Sequence, residues 1–577
     1  MRSRLAPFVV AALTSVCGSS CPKVDAAAEV RAGRAIIETR VSGVAWMDRA
    51  WRAAKAVRER GVTPPLAAVA PVREPAPPPS KLSVAAAVAA PPLSVAPPEP
   101  LAAAPPTEPD APPDAPDVDP LDATRADAPA PAPIVPPDRA LAATAKETWI
   151  YEAPRWSSKR IGYLRAGAVV KRAESPSGRA SCDHGWYAIE PRGYVCAGAY
   201  ATLDPRDEVV DAAKRRPDRT TLPYTYVMSG SPPPTLYARV PSRAEEERVE
   251  PDLASHLRAA ARRASEPGYV APPAAEPMLA SLAAGRSAPA LSNGPRRSAD
   301  ALVIGRAEAR SGFALLSTFE ADDRMWGLTT ELALLPIDRA RVVKPSAFVG
   351  LALEGDDAPL PVAFVMSHHA ARFAETKYGG LAQVEPLAFR AAIPLSGKTR
   401  RAGGALFFEA KDGSFVRADQ VRKVEPTHDF PAWARGDRKW IDVSIVDQTL
   451  VAYAGKRPVY VTLVSTGADG LGDPETTHST ILGVFRVHTK HVSVKMDDDA
   501  VGNVFDFRDV PFVQYFKDGY ALHAAYWHDD FGTPRSHGCV NLAPRDAAWL
   551  FAFTGPEVPD AWHAALSRSG TLVRTRP

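Results

Sequence analysis

The residues best suited to chemistry crowd into one stretch, "ALHAAYWHDDFGTPRSHGCVNL", from Ala521 to Leu542. Cys539 shares it with His523, His528 and His537 and with Asp529 and Asp530. His523 precedes Cys539 by 16 positions, with turn-forming "DDFGTPR" between them. A strand end and a returning loop can therefore bring imidazole to thiol. A free thiol has a pKa of about 8.5, so only about 3% is thiolate at neutral pH. A neighbouring imidazole can take its proton, and a helix amino terminus after Pro544 would add partial positive charge. Gly538 lets the backbone approach a reacting group, and the N–H groups of His537, Gly538 and Cys539 could hold a developing oxyanion. Ser536 and Asn541 flank that loop. Tyr526, Trp527 and His528 could line a substrate groove or pack beneath the loop. The competing reading is zinc, held by His523, His528, His537 and Cys539 with Asp529 or Asp530 nearby. The spacing fits neither Cys-x-x-Cys pairs nor His-Glu-x-x-His, so no metal and no other cofactor is expected. A buried, inert thiol is the third reading, and the polar Ser536, His537 and Asn541 around it weigh against that.

The elements that must position these residues are strands. "IDVSIVDQTLVAYAGKRPVYVTLVSTG" alternates apolar and polar residues, with turns at Val446-Asp447 and Gly455-Lys456, which reads as a β-meander. "GVFRVHTKHVSV" and "PFVQYFKDGYALHAAYW" add further strands. Pro544 can open a short helix beyond the thiol, with Ala547, Leu550 and Phe551 on one face. The expected fold class is mainly β, with the reactive residues in a carboxy-terminal domain over 439–577.

The 577 residues are too many for one core, and the net charge of +3 gives no electrostatic case for nucleic acid. The amino terminus reads as an export signal over 1–26: Arg2 and Arg4 precede the apolar "LAPFVVAALTSV", which is too short to span a bilayer. Cys17 or Cys21 could carry a lipid anchor. Residues 63–145 are Pro/Ala-rich and read as a disordered tether across the envelope. Export alters the cysteine arithmetic. Cys182 and Cys196 lie close together in one aromatic segment, and an oxidising compartment favours their pairing, which would stabilise a small domain by ~3 kcal/mol. Cys539 is then the unpaired thiol. Within 146–204, "YEAP", "YLRAGAVV" and "GWYAI...GYVC" resemble a bacterial SH3-like domain, a small β-barrel that in its family often binds cell-wall peptides. Residues 205–300 read as a linker with a helix, from "SRAEEERVEPDLASHLRAAARRA", and 301–430 as a β-rich module of unassigned role. His368 and His369 in it read as surface or loop residues.

"SHGCVNL" is similar to the Ser/Thr-His-Gly-Cys signature of the L,D-transpeptidase catalytic domain, and His523 in "LHAAYW" stands at that family's motif histidine. The strands from Ile441 and "GVFRVHTK" extend the resemblance over most of 440–574. Ala524 and "TTHST" (Thr476 to Thr480) depart from the usual pattern, and Asn541 fits the branch with asparagine in that place. The resemblance implies a β-sandwich catalytic domain acting on peptidoglycan stem peptides. Cys539 would attack the carbonyl before a terminal D-Ala, with His523 as base and then acid. The loop of Ser536, His537, Gly538 and Asn541 would hold the oxyanion. The acyl group would pass to an amine, forming a 3→3 cross-link or attaching an envelope protein. Hydrolysis by an L,D-carboxypeptidase or endopeptidase, or a non-catalytic wall-binding scaffold, are the alternatives. The expected location is the periplasm or cell envelope.

Overall fold

The computed structural model describes residues 135–298, 300–353, 360–498 and 505–577. The export signal, Cys17, Cys21 and the Pro/Ala-rich segment up to 134 lie outside these residues. Among the described residues, no helix is long and apolar enough to cross a membrane.

The first unit begins earlier than composition indicated. Ala140–Ala143 is a strand paired with Val169–Lys171 and Ala201–Thr202, and all four of its residues are buried. Its sequence, "ALAA", has the composition of the preceding tether, but its small side chains fit the closely packed centre of a three-stranded sheet. β1 (Arg160–Leu164) pairs with Thr148–Tyr151. The sulfurs of Cys182 and Cys196 are joined in a disulfide, packed with Tyr151 and Trp186.

Residues 205–300, expected as a linker, are folded. β2 (Thr225–Ser229) pairs with β3 (Gly312–Ala321), and Thr235–Tyr237 pairs with Val303–Arg306. Tyr224, Tyr226 and Tyr237 enter a core with Trp326 and Leu328. These strands find partners 70 to 90 residues away, roughly, and non-local pairing of that kind leaves little local signal. The helical stretch anticipated from Ser242 to Ala264 is two helices, Arg243–Val249 and α1 (Leu253–Ala264), parted around Pro251, which cannot continue a helix interior. The expected 301–430 module divides in two. Residues 303–342 complete the sheet just described, whereas 362–424 belong to a separate seven-stranded sheet.

The carboxy-terminal region opens with a meander of β4 (Lys439–Ser444), β5 (Thr449–Ala454) and β6 (Arg457–Leu463), with the two-residue Gly455-Lys456 turn between the last two. Gly455 has φ +57°, and a Cβ there would stand 1.8 Å from Gly436 O. The strands alternate in sequence, yet nearly every residue is buried. Asp442, for example, is covered by Arg574 Nε (2.7 Å) and Arg576 Nε (3.0 Å). A long hairpin follows, β7 (Thr489–Asp498) and β8 (Phe505–Lys517), then β9 (Tyr520–Ala524) and β10 (Val540–Leu542). The α2 helix (Pro544–Phe553) has proline in its first turn, and Ala547, Leu550 and Phe551 are buried as their spacing predicts.

The regions are fused rather than strung out. β1 pairs with Ala564–Leu566, and Gly162 sits opposite Ala565. A Cβ on Gly162 would stand 2.3 Å from Ala564 O and 2.5 Å from the Trp562 ring, so only glycine permits this approach. One apolar cluster runs from Leu141 and Ile150 to Phe512 and Trp562. Beside it, buried Asp509 is ion-paired with Arg165 from the first unit and accepts hydrogen bonds from Thr330 of the middle region and from Ser493 (2.8 Å). Those cationic and hydroxyl donors outweigh desolvation and hold the Asp509 carboxyl well below the usual carboxylate range.

Candidate active site

The candidate reactive residues lie on and beside β9 and β10, which run side by side. The two strands are parallel, with Leu522 opposite Val540 and His523 opposite Asn541. Cys539, just before β10, packs against Val510, Val513 and Ala521, and Ala521 shares its face of β9 with His523 by strand alternation. The loop before β10 is tied down by its own sequence. Ser536 N–H donates to Thr466 O (2.9 Å), Ser536 O accepts from Ala468 N–H (2.8 Å), and Ser536 Oγ donates to Cys539 O. Gly538 has φ +117°, and a Cβ there would stand 2.8 Å from the Tyr520 ring. Its carbonyl accepts from Thr480 Oγ1 (2.8 Å), which in turn accepts from Gly467 N–H (2.9 Å). His537 projects to the surface, where its ring meets His478 edge to face at 4.6 Å.

Two expectations change. The Gly538 N–H is engaged by Ser536 Oγ (3.1 Å) and is not an open oxyanion donor. Of the other two N–H groups expected there, that of Cys539 has no acceptor found among the described residues. The helix amino terminus does not abut the thiol either, because β10 and Ala543 intervene.

The thiol of half-buried Cys539 lies against Gly519 O at 3.6 Å, and burial pushes its pKa up to about 11 despite a bond from the Ala521 backbone. His523 is buried, and burial pushes its pKa down to about 4. Its Nδ1 lies 3.0 Å from Ala524 O. A carbonyl only accepts, so Nδ1 carries the proton and Nε2 keeps a lone pair for a base's work. The resting pair is neutral thiol and neutral imidazole. Burial disfavours the charged form of both groups, so proton transfer from thiol to imidazole is uphill before substrate binds.

The flanking residues divide by role. Tyr526 is spent on packing: its ring lies on Tyr226 (4.3 Å), and its hydroxyl fills the space a Cβ of Gly312 would need. Trp527 is half-buried, stacked on Phe507 at 4.1 Å, with His523 5.8 Å from its ring. His528 Nδ1 accepts from Asp530 N–H (3.2 Å), so the neutral ring carries its proton on Nε2, 3.0 Å from the Asn541 amide. An amide oxygen suits that donor. Nδ2 is the Asn541 atom at 3.0 Å and Oδ1 the one without a partner; with the amide turned so that Oδ1 meets Nε2–H, Asn541, 3% exposed, has an NH2 group to spare on the face shared with His523. Asp529 is held by Arg390 (2.7 Å) and Ser346, and Asp530 pairs with Arg535. Among the described residues no group of three or more His, Cys, Asp or Glu side chains is arranged to hold a metal. Sequence reasoning missed Thr480, Tyr520 and Thr466, whose importance comes from contacts with a distant loop. The one local signal was the polar "TTHST" run.

The domain so defined has a known class. Residues 438–573 match YkuD, the L,D-transpeptidase catalytic domain family. No curated protein gives a significant match. Similar solved structures include an L,D-transpeptidase from Stackebrandtia nassauensis, 23% identical over 26% of this chain and 59% of that one, with a TM-score of 0.19. Another, residues 123–326 of an L,D-transpeptidase from Xylanimonas cellulosilytica, is 22% identical over 26% of this chain and 65% of that one, with a TM-score of 0.18. The catalytic domain of E. faecium L,D-transpeptidase is 22% identical over 24% of this chain and 98% of that one, with a TM-score of 0.18. The chain thus spans less than two thirds of the length of the first two.

Proposed function

We propose that this protein is a peptidoglycan L,D-transpeptidase acting in the cell envelope, with Cys539 as nucleophile and His523 as general base. The reading is supported by the parallel register of β9 and β10, which pairs His523 with Asn541, by the packing of Cys539 against Ala521, and by the bond from His523 Nδ1–H to Ala524 O. As Cys539 Sγ attacks the carbonyl preceding the terminal D-Ala of a tetrapeptide stem, its proton passes to His523 Nε2. The carbonyl oxygen, now negative, is met by Cys539 N–H and the Asn541 amide. Collapse breaks the amide bond, the proton moves from His523 to the departing D-Ala amine, and a thioester remains. An acceptor amine then attacks the thioester, gives its proton to His523, and expels the thiolate, which recovers the proton. Because the resting pair is neutral, proton transfer accompanies attack rather than preceding it. The small amino-terminal β-unit serves as an SH3-like wall-binding module, behind an export signal and a Pro/Ala-rich tether.

The test is to incubate the full chain with tetrapeptide muropeptides and separate the products. Dimers with a 3→3 bond support transfer, whereas shortened stems alone would move the assignment to hydrolysis.

A further inference from the structure

A cavity built mostly from residues before the matched family domain opens onto Trp527 and His528 of the candidate site. It has a volume of about 860 Å³ and sits between α1, β2, the segment 337–344 and the stretch Tyr526 to Asp529. That volume falls within the range of pockets that hold small ligands. Its inner wall is Trp527 and His528. Trp527 stands 5.8 Å from the His523 ring, and His528 Nε2 lies 3.0 Å from the Asn541 amide. A molecule in the cavity is therefore one aromatic layer from the imidazole.

The charges on the lining sort into two sets. Arg324 and Arg339 are neutralised within the protein, Arg324 by Glu246, Glu250 and Asp338, and Arg339 by Glu250 and Asp252. His256 holds Asp338 as well. Arg341 and Lys344 are exposed and have no carboxylate partner among the described residues. Glu266 and Asp323, also on the lining, have no cationic partner there. Both signs are thus left open around a partly apolar space that includes Leu257 and Tyr269. Such a lining suits a ligand that carries carboxylates and a free amine together.

We propose that this cavity is the acceptor subsite, binding a zwitterionic peptide whose free amine attacks the thioester. Arg341 and Lys344 hold its carboxylates, Glu266 and Asp323 draw in its cationic end, and the amine reaches the thioester past Trp527. The inference rests on the transpeptidase reading and makes amine transfer, rather than hydrolysis, the main outcome.

The experiment uses the full chain with a tetrapeptide stem as donor and a diamino-acid-containing stem peptide, varied in concentration, as acceptor. Charge reversal by R341E with K344E should raise the acceptor KM about tenfold, the scale of one lost favourable charge contact plus a repulsion, and increase the share of hydrolysed stem. A260W, which fills the cavity from α1 without altering charge, should raise the acceptor KM in the same direction. An acceptor KM within twofold of the unaltered value in both variants would overturn the inference. Thioester formation on the unaltered chain separates the two claims. If no thioester forms on Cys539, the functional reading fails. If one forms and both variants use the acceptor normally, only the subsite fails.

Discussion

At the scale of the residue, a half-buried Cys539 and a buried His523 rest uncharged. The raised Cys539 pKa, about 11, predicts that alkylation by iodoacetamide keeps accelerating as pH rises towards that value, without a plateau near neutrality. A rate that levelled off near pH 7 would mean a preformed thiolate. For His523, whose pKa is lowered to about 4, the ring is an unprotonated base above that value and loses its lone pair below it. Turnover limited by His523 should therefore fall as pH drops through about 4. Gly538 is the other residue on which much depends. Its φ of +117°, and the Tyr520 ring 2.8 Å from where a methyl group would stand, leave no room for alanine. Gly538→Ala should cost about 1–3 kcal/mol of stability and lower turnover at least about tenfold, read by urea unfolding and product assay. Cys539, His523 and Gly538 could be singled out from the sequence because their residue types fall within one short stretch, and the positive φ of Gly538 agrees with the turn its type suggested. The division of labour between N–H groups was not, since Ser536 Oγ takes the Gly538 donor only once the loop has closed.

At the scale of the element, strand pairing does the positioning, and much of it joins distant sequence. The meander, its turn at Gly455-Lys456 and α2 followed from periodicity and from Pro544, because those signals are carried by neighbours in sequence. The folding of 205–300 did not, because β2 takes its partners from β3 and Ala340–Val342. The tether's boundary was misplaced for a related reason: "ALAA" has the same composition in a linker and in a buried strand. Thr480 is where an element-level test is cleanest, since one hydroxyl joins Gly467 N–H to Gly538 O. Thr480→Val keeps the shape and removes both bonds. It should lower stability by about 1–3 kcal/mol, and trypsin should cut the loop around Arg535 faster than in the unaltered protein.

At a scale larger than the element, the first unit and the carboxy-terminal domain share an apolar cluster and a buried ion pair, to which Thr330 of the middle region donates a hydrogen bond. Removing one partner of such a pair strands the other charge. Asp509→Asn should cost about 3–5 kcal/mol in urea unfolding, although it is remote in sequence from the motif. Acid should weaken the fold in a definite window. His491, His523 and His563 are buried with pKa values pushed below the ordinary one, His491 to about 3 and His523 to about 4. Between roughly pH 6.5 and 4 the unfolded chain binds protons that the native state refuses. Stability should fall as pH is lowered, by about 1.4 kcal/mol per pH unit for each such histidine, and these groups should add no slope above about 6.5. Asp509 acts in the same direction at lower pH, since its stabilisation is present above its unfolded pKa and is lost as pH falls towards its folded one.

The central claim is that Cys539 accepts the acyl group of a stem peptide, and the mass of the intact protein tests it most directly. The full chain, mixed with a tetrapeptide stem without an added amine acceptor and quenched in acid, should gain the mass of the stem less D-Ala. The adduct should map to Cys539 and be absent from Cys539→Ala. An adduct on another residue, or stem turnover that persists in Cys539→Ala, would contradict the account.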